Sequence, residues 1–569
     1  MARLNRRTEA QLARSAKLKA TAPRRALARL AAPFRRFRSL RQPPAELLLV
    51  PQDLRTTDGS FIDEIRAGQF GLAGQSIAIG DGTPFGIQHP STSFKRRLHG
   101  FSWLRHLRAV REEGGDEIGR RFVLAWIARY RSTGGSVFAP GVEARRIMSW
   151  LTNAAILLEG AEARDFEAIM RSLEMQVNHL AASWRLAPDG PPRLGALTAL
   201  MLAAVCLAGQ DALLKQVQGE FERELDRQIL PFGGHRNRNP GAGIAILLDL
   251  LPLRQCIAMR EWEPLEALES AVTRLIPWLR YMRLGDGRLA RFNGMSGTPL
   301  DELAAVLAYD DSLAIPSLVK ESGYLRLERG ATILIMDAGV PPPLELSGEA
   351  HAGCLSFELS SDRHVVFCNS GAAGAVLPEW HAICRSTASH STLAVGGRSS
   401  SRLVNVRDKS TGGAIIGLAG PEKVVFDIAD NGGSTRIIAT HDGYLERQGV
   451  VHRRTLAISS DGTTLDGRDY LGPKHKGERL MHDLVYDIHF HIHPNVETRM
   501  GVEPDTVDLR LPNNERWRFR CNGARLSLEE STYLAEFAGP RQTMQIVLRG
   551  DCLDSVEVDW HLELVEAPD

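Results

Sequence analysis

Leu355-Ser-Phe-Glu-Leu359 and His364-Val-Val-Phe-Cys368 are two short apolar runs with a polar turn between them, and their reading decides the fold. Ala331-Thr-Ile-Leu-Ile-Met336 precedes them and Lys423-Val-Val-Phe-Asp-Ile428 follows, each rich in β-branched or aromatic residues and bounded by Gly, Asp, Asn or Ser. Such runs continue to Leu564. A long series at hairpin spacing, with no helical stretch between members, implies antiparallel sheets packed face to face.

Working back from this region, the spacing changes its period. From Phe61 to about Leu284 apolar residues recur at helical intervals, as in Arg121–Tyr130 and Met148–Leu158. Further helices are predicted over 166–186, 194–207, 211–230, 244–260 and 265–283, separated by Pro- and Gly-containing turns such as Pro188-Asp-Gly-Pro-Pro192. The helical period gives way to the strand period between Gly285 and Gly330. The expected organisation is α+β and multidomain: a basic arm over 1–45, a helical domain over 46–300 and a β-sandwich over 301–569. No fixed-period repeat of the solenoid kind is present.

The 569 residues carry 69 basic and 68 acidic side chains, so the net charge of +1 creates no global field that would gather nucleic acid. Hydrophobic residues at 43% and charged residues at 24% are the balance of a globular protein. Seven cysteines, an odd number without a Cys-x-x-Cys pair, argue against a disulfide framework. The run Leu194–Gly209 is shorter than a spanning helix and is read as a core helix, so no transmembrane segment is expected. Before residue 46 the only acid is Glu9 among many Arg and Lys, with no apolar core of a signal peptide. The arm is either a solvated tail or a segment that touches anionic surfaces. Cytoplasmic placement is expected, with the periplasm as the alternative.

Four C-terminal segments carry a resemblance: Glu349-Ala-His-Ala-Gly-Cys-Leu-Ser-Phe-Glu-Leu359, Arg385-Ser-Thr-Ala-Ser-His-Ser-Thr-Leu393, His441-Asp-Gly-Tyr444 with Val451-His-Arg-Arg454, and His489-Phe-His-Ile-His-Pro494. In this order, behind a helical domain, they resemble the heparinase II/III family. The likeness runs from about Ile147 to the C-terminus and is strongest from Gly330 to Pro494. It implies an N-terminal (α/α) toroid followed by an antiparallel β-sandwich, and a lyase that cleaves an anionic, uronate-containing polysaccharide by β-elimination. That reaction needs a neutraliser for the C5 carboxylate, a base for the C5 proton and an acid for the departing O4.

The resemblance places a cleft loop at Gln228-Ile-Leu-Pro-Phe-Gly-Gly-His-Arg-Asn-Arg-Asn-Pro240, so that His235, Arg238 and Asn239 join His351 and His390 as catalytic candidates. The alternative for this loop is an ordinary helix terminus with solvated arginines. The family's tyrosine position holds Ala242, leaving Tyr281 and Tyr309 as substitutes; either could equally be packed in a helix interface. Arg385, Tyr444 and Trp380 are the implied substrate-binding residues. His441, Tyr444, His452 and Arg453 line a cleft or fix a turn.

In the family's His-any-His-Ala-Asp motif the first His assists catalysis and the second helps to hold a metal. Here the positions read Glu349, His351 and Gly353, with Asn369 at a further ligand position and His390 as the remaining His. Two imidazoles and an amide are a poor set for zinc, so a divalent metal at His351 and His390 is an option and no cofactor is required. His489, His491 and His493 alternate, which in a strand sets them on one face and suits either a metal or a packed sheet edge. Two other functions stay open: a non-catalytic polysaccharide binder, favoured by Ala242 and Glu349, and a glycoside hydrolase using acids such as Asp310, Asp311 and Glu349.

Overall fold

The computed structural model describes residues 46–310, 321–373, 378–408, 412–474, 483–536, 539–553 and 555–567. The basic arm and Asp311 lie outside the described residues. Among the described residues two compact units emerge, one made of those in 46–224 and 249–265, the other of those in 225–248 and 266–567. The division therefore does not follow a single cut near residue 300. Instead, the loop at 228–240 and the helices Glu266–Tyr281 and Leu300–Leu307 belong to the same unit as the sheets.

The first unit is helical, with Gly115–Arg129, Pro140–Thr152, Ala163–Ser183 and Pro191–Cys206 among its longer members. Pro140 and Pro191 open their helices at positions where a missing N–H costs nothing. Trp126 and Trp150 meet Phe101 edge-on at 5.7 and 5.6 Å, and the Arg146 guanidinium lies 4.3 Å over Trp126. Met148–Leu158, expected as one helix, is two: Pro140–Thr152 ends at Asn153, whose Nδ2 donates to Ser149 O, and Ala154–Leu158 follows. A hairpin of Gln69–Leu72 and Gln75–Ala78 also interrupts the expected helical stretch. Pro240–Met259 is long and apolar enough to cross a membrane by length and composition, and 67% of its apolar window is buried.

Asp249, 8% exposed, receives Arg55 at 2.6 Å and Arg145 at 2.7 Å within this unit. Burial pushes its carboxyl up, and the two guanidinium groups outweigh burial and hold it at about 2. A folded pKa below the unfolded 3.8 contributes stability that is present above pH 4 and lost as pH falls through the folded value. The shift corresponds to about 2 kcal/mol. Asp249→Asn should flatten the stability loss between about pH 4 and pH 2, measured by denaturant titration; an unchanged acid limb counts against the pairing.

The second unit contains two eight-stranded sheets, antiparallel throughout. One runs, in spatial order, Val424–Asp430, Ser434–His441, Val451–Ser459, Thr464–Gly472, Glu557–Glu566, Arg516–Asn522, Thr506–Arg510 and Glu497–Met500. The other runs Arg525–Tyr533, Arg541–Asp551, Val485–Ile492, His364–Cys368, Phe357–Ser361, Thr332–Asp337 and Tyr324–Arg329, and Leu393–Val395 pairs with Val485–Ile492 as its eighth strand. Alternation along the strands puts Phe357, Phe367 and Phe490 on one inner face against Phe519 and Trp560 on the other, with Phe357 stacked on Trp560 at 5.8 Å. The architecture is a helical region followed by an antiparallel β-sandwich. The change of element type falls between Leu307 and Tyr324 among the described residues.

A buried polar chain crosses the sandwich. Arg454 pairs with Asp469 at 2.8 Å and donates to Leu355 O and Ser391 O, while His452 Nε2 and Trp560 Nε1 also donate to Asp469. These contacts fix the backbone of the Leu355 and Ser391 segments, which carry the imidazoles described next.

Candidate functional site

His351 and His390 meet. His390 Nδ1 lies 2.7 Å from Ser386 O, and a carbonyl only accepts, so Nδ1 carries the proton and Nε2 the lone pair. His351 Nδ1, 3.0 Å from His390 Nε2, is then the donor between them. The consequence is a His351 Nε2 that bears a lone pair, with no protein partner among the described residues. Burial holds His390 down at about 4, and burial together with the charges at His390 and Arg385 keeps His351 well below its ordinary value. Both rings are neutral at pH 7, so His351 Nε2 presents a lone pair rather than a proton.

The ring of His390 fills the space beside Gly353, where a Cβ would stand 2.7 Å from His390 Cδ2. An aspartate there would displace the ring. Arg385 is 2% exposed and donates to Ala350 O and Ser347 O, so it ties down the loop that carries His351 rather than offering its charge outward.

The loop at 228–240 comes to the same place. Gly233 adopts φ +99, and a Cβ there would stand 2.1 Å from Arg274 O, which only glycine tolerates. Asn239 N donates to Asn237 Oδ1, and Asn239 Oδ1 accepts from Gly241 N, so the side chain is oriented from both sides. Asn239 Nδ2 has no protein partner among the described residues. Gly294, at φ +90, is flanked by Asn239 Nδ2 and by the backbone carbonyl and Cβ of Glu349. Its neighbour Asn293 accepts from His351 N at 3.4 Å. Asn239, Glu349 and His351 therefore sit around one pair of residues, Asn293-Gly294.

Arg238 has another fate than the cleft. Its guanidinium pairs with Asp337, donates to Ser322 O at 2.7 Å and lies 4.5 Å over the Tyr324 ring. Burial works against the cation, and the Asp337 carboxylate outweighs burial and raises its pKa. Tyr324 donates to Arg238 O and accepts from Asn293 Nδ2, which also donates to Asp337. Arg238 is thus the bolt that fixes the Asn239 loop against the sheet, and the expectation that it meets a carboxylate ligand is corrected.

Other expected residues are placed as follows. His235 is buried, with Nδ1 accepting from Asn237 N at 3.1 Å, so it shapes the loop from within. Tyr281 donates to Tyr324 O and accepts from Arg326 N, and burial pushes its hydroxyl up to about 12. Tyr444 is fully buried and donates to Leu393 O. Neither hydroxyl faces a ligand. Tyr309 follows the helix Leu300–Leu307, half-buried, and Asp310 pairs with Arg280, which removes it from the nominated acids. Trp380 ends a short helical turn, half-buried, beside His381. Glu349, at the position where the resemblance expects a histidine, accepts from His381 Nε2 at 3.0 Å.

His441 and His452 hydrogen-bond to each other and onward to Asp469, inside the sandwich, which is the turn-fixing alternative. Arg453 is exposed, 5.3 Å from the Tyr470 ring. His489 is bonded to Gln545, His491 to Ser531 Oγ and Ala388 O, and His493 accepts from Asn495 N.

A metal does not fit these donors. The His351–His390 hydrogen bond uses the lone pair that His390 would give an ion, Asn369 Oδ1 is taken by Ser391 N, and position 353 has no side chain. Among the described residues no three His, Cys, Asp or Glu side chains come together as ligands. A groove of about 630 Å³ lies elsewhere, on the outer face of the other sheet at Arg436, Arg468 and Arg520. Its charges are largely spent, with Arg468 on Asp559 and His561 on Asp466.

Asn293, Tyr324, Asp337 and His381 are the participants sequence reasoning missed. Asn293-Gly294 carries a turn signal, and the other three lie in no motif.

Three comparisons bear on this geometry. A family model described as heparinase II/III-like, C-terminal, matches residues 313–561. The FtsZ-localized protein C of Caulobacter vibrioides (strain NA1000 / CB15N) is 30% identical over 539 residues, covering 92% of this chain and 91% of that protein. Among solved structures, a crystal structure of heparinase III aligns at a TM-score of 0.69 with 14% identity, over 95% of this chain and 90% of its own. A heparan sulfate lyase mutant from Pedobacter heparinus aligns at 0.60 with 14% identity, over 98% and 91%. At that identity the structural likeness shows the fold, a helical toroid followed by a β-sandwich.

Proposed function

The chain belongs to the heparinase II/III-like family, and from that premise we propose that it cleaves a uronate-containing anionic polysaccharide by β-elimination at the Asn239–His351 site. The observation that carries this reading is the His351 imidazole, neutral and fixed in one tautomer by His390 and Ser386, with its backbone held by Asn293 while the open amide of Asn239 borders the adjoining Gly294. Asn239 Nδ2 donates to the substrate's C5 carboxylate and stabilises the negative charge that develops as C5 loses its proton. His351 Nε2 takes that proton. The C5–H electrons form the C4=C5 double bond and the C4–O4 bond breaks. Incubation of the purified chain with a panel of uronate polymers should yield unsaturated, ultraviolet-absorbing ends. Saturated reducing ends would indicate a hydrolase instead.

A second reading rests on Ala242 and on the buried hydroxyls of Tyr281, Tyr324 and Tyr444, which leave none of those three phenols free to act. On it, the same site holds a polysaccharide without cutting it, and the panel gives binding with no product.

The name of the Caulobacter relative supplies a place. We propose that this chain, too, localises with FtsZ, and that the basic arm, where Glu9 is the only acid, attaches it to an anionic surface at about 1 kcal/mol per basic residue near that surface. A fluorescent fusion should mark the division plane, and removal of residues 1–45 should weaken the signal. A uniform cytoplasmic or periplasmic signal from the intact chain would sink the localisation.

A further inference from the structure

Elimination at a uronate needs a proton for the leaving oxygen, and the elements that supply one are displaced in this chain. The position where the resemblance expects a catalytic histidine holds Glu349, and Tyr281, Tyr324 and Tyr444 are buried with their hydroxyls engaged. Glu349 does not leave the site without an imidazole. Its Oε2 lies 3.0 Å from His381 Nε2, a histidine that opens the turn His381–Cys384 and lies in no family motif. The carboxylate only accepts, so Nε2 carries the proton and Nδ1 is the nitrogen left to face a ligand.

The pair is placed where it could act. Glu349 Cβ and Asn239 Nδ2 both border Gly294, and Glu349 lies two residues before His351 in the chain. His381 is 39% and Glu349 72% exposed at the side chain, in contrast to the buried His351 and His390, so a polymer can reach them.

We propose that His381 is the catalytic acid of the elimination and Glu349 its positioning residue. This inference rests on the lyase reading. As the C4–O4 bond breaks, protonated His381 gives its Nδ1 proton to O4, while His351 Nε2 holds the proton from C5; water then reprotonates His381 and relieves His351. No oxidant, metal or co-reactant is required for this balance.

The test compares two leaving groups at C4 of the same uronate. The natural glycosidic oxygen needs a proton on departure, and fluoride in a 4-deoxy-4-fluoro uronate does not. His381→Asn should lower turnover of the polymer by about a hundredfold or more and leave fluoride elimination at the wild-type rate. Glu349→Gln should lower polymer turnover by a smaller factor with the same contrast. Equal losses on both substrates, or no loss on the polymer, would overturn the assignment. Wild-type protein that eliminates neither leaving group removes the lyase reading itself and this inference with it.

Discussion

Asn239→Ala is expected to lower elimination by about a hundredfold or more at a stability cost of only about 1 kcal/mol, that of a lost helix cap, because on the proposed mechanism the lost donor serves the developing charge. The side chain's Nδ2 makes no protein hydrogen bond among the described residues, and its Oδ1 caps the helix Pro240–Met259 by accepting from Gly241 N. His390→Ala acts at one remove: it takes away the acceptor that holds His351 Nδ1–H, so the lone pair at Nε2 is no longer assured. Its rate should fall by a similar factor, with some loss of stability from the unpaired His351 Nδ1. Steady-state rates and thermal melts on the two variants separate the roles. Loss of folding in step with loss of rate in Asn239→Ala would identify a structural amide instead.

The largest expected effect on stability comes from Asp337→Ala. Removing this carboxylate strands the buried Arg238 guanidinium and leaves Asn293 Nδ2 without one of its acceptors, at a cost of about 3 to 5 kcal/mol. The rate should fall as well, since Arg238 ties the Asn239 loop to the sheet. Replacing both partners by apolar residues, as in Arg238→Met with Asp337→Leu, should recover much of the stability, because no buried charge remains. Chemical denaturation of the single and double variants gives the comparison. If the single variant is as stable as wild type, Arg238 is not the bolt described.

Much of the sandwich was legible because its strands are short apolar runs with polar turns. Phe357–Ser361 and His364–Cys368 pair as their sequences suggest. The hairpin at Gln69–Ala78 was not legible. Its two-residue turn is Ala73-Gly74, both at positive φ, and alanine gives no signal for a conformation that Asn or Gly normally marks. The helix over Met148–Leu158 reads as continuous since its apolar period survives the break, which lies in the backbone of Asn153.

In the site, resemblance pointed to His351, His390 and Asn239, and these three do lie around Asn293-Gly294 and Gly353. Sequence alone could not show that Arg238 would be consumed by Asp337, 99 residues away, or that Arg385 would be spent on backbone carbonyls. An arginine beside a loop motif looks the same whether it waits for a ligand or is already paired. Nor could it show that Glu349 would reach His381, since the contact depends on how the turn at 378–384 folds back.

A site that breaks C4–O4 by elimination adds no water to its products, and their masses test this most directly. A defined uronate oligosaccharide is incubated with the full chain and with His351→Gln, and all fragments are weighed by mass spectrometry. Elimination predicts two fragments from the wild type whose masses sum to that of the substrate, and none from His351→Gln. Fragments that together have gained the mass of one water, or equal cleavage by the variant, would contradict it.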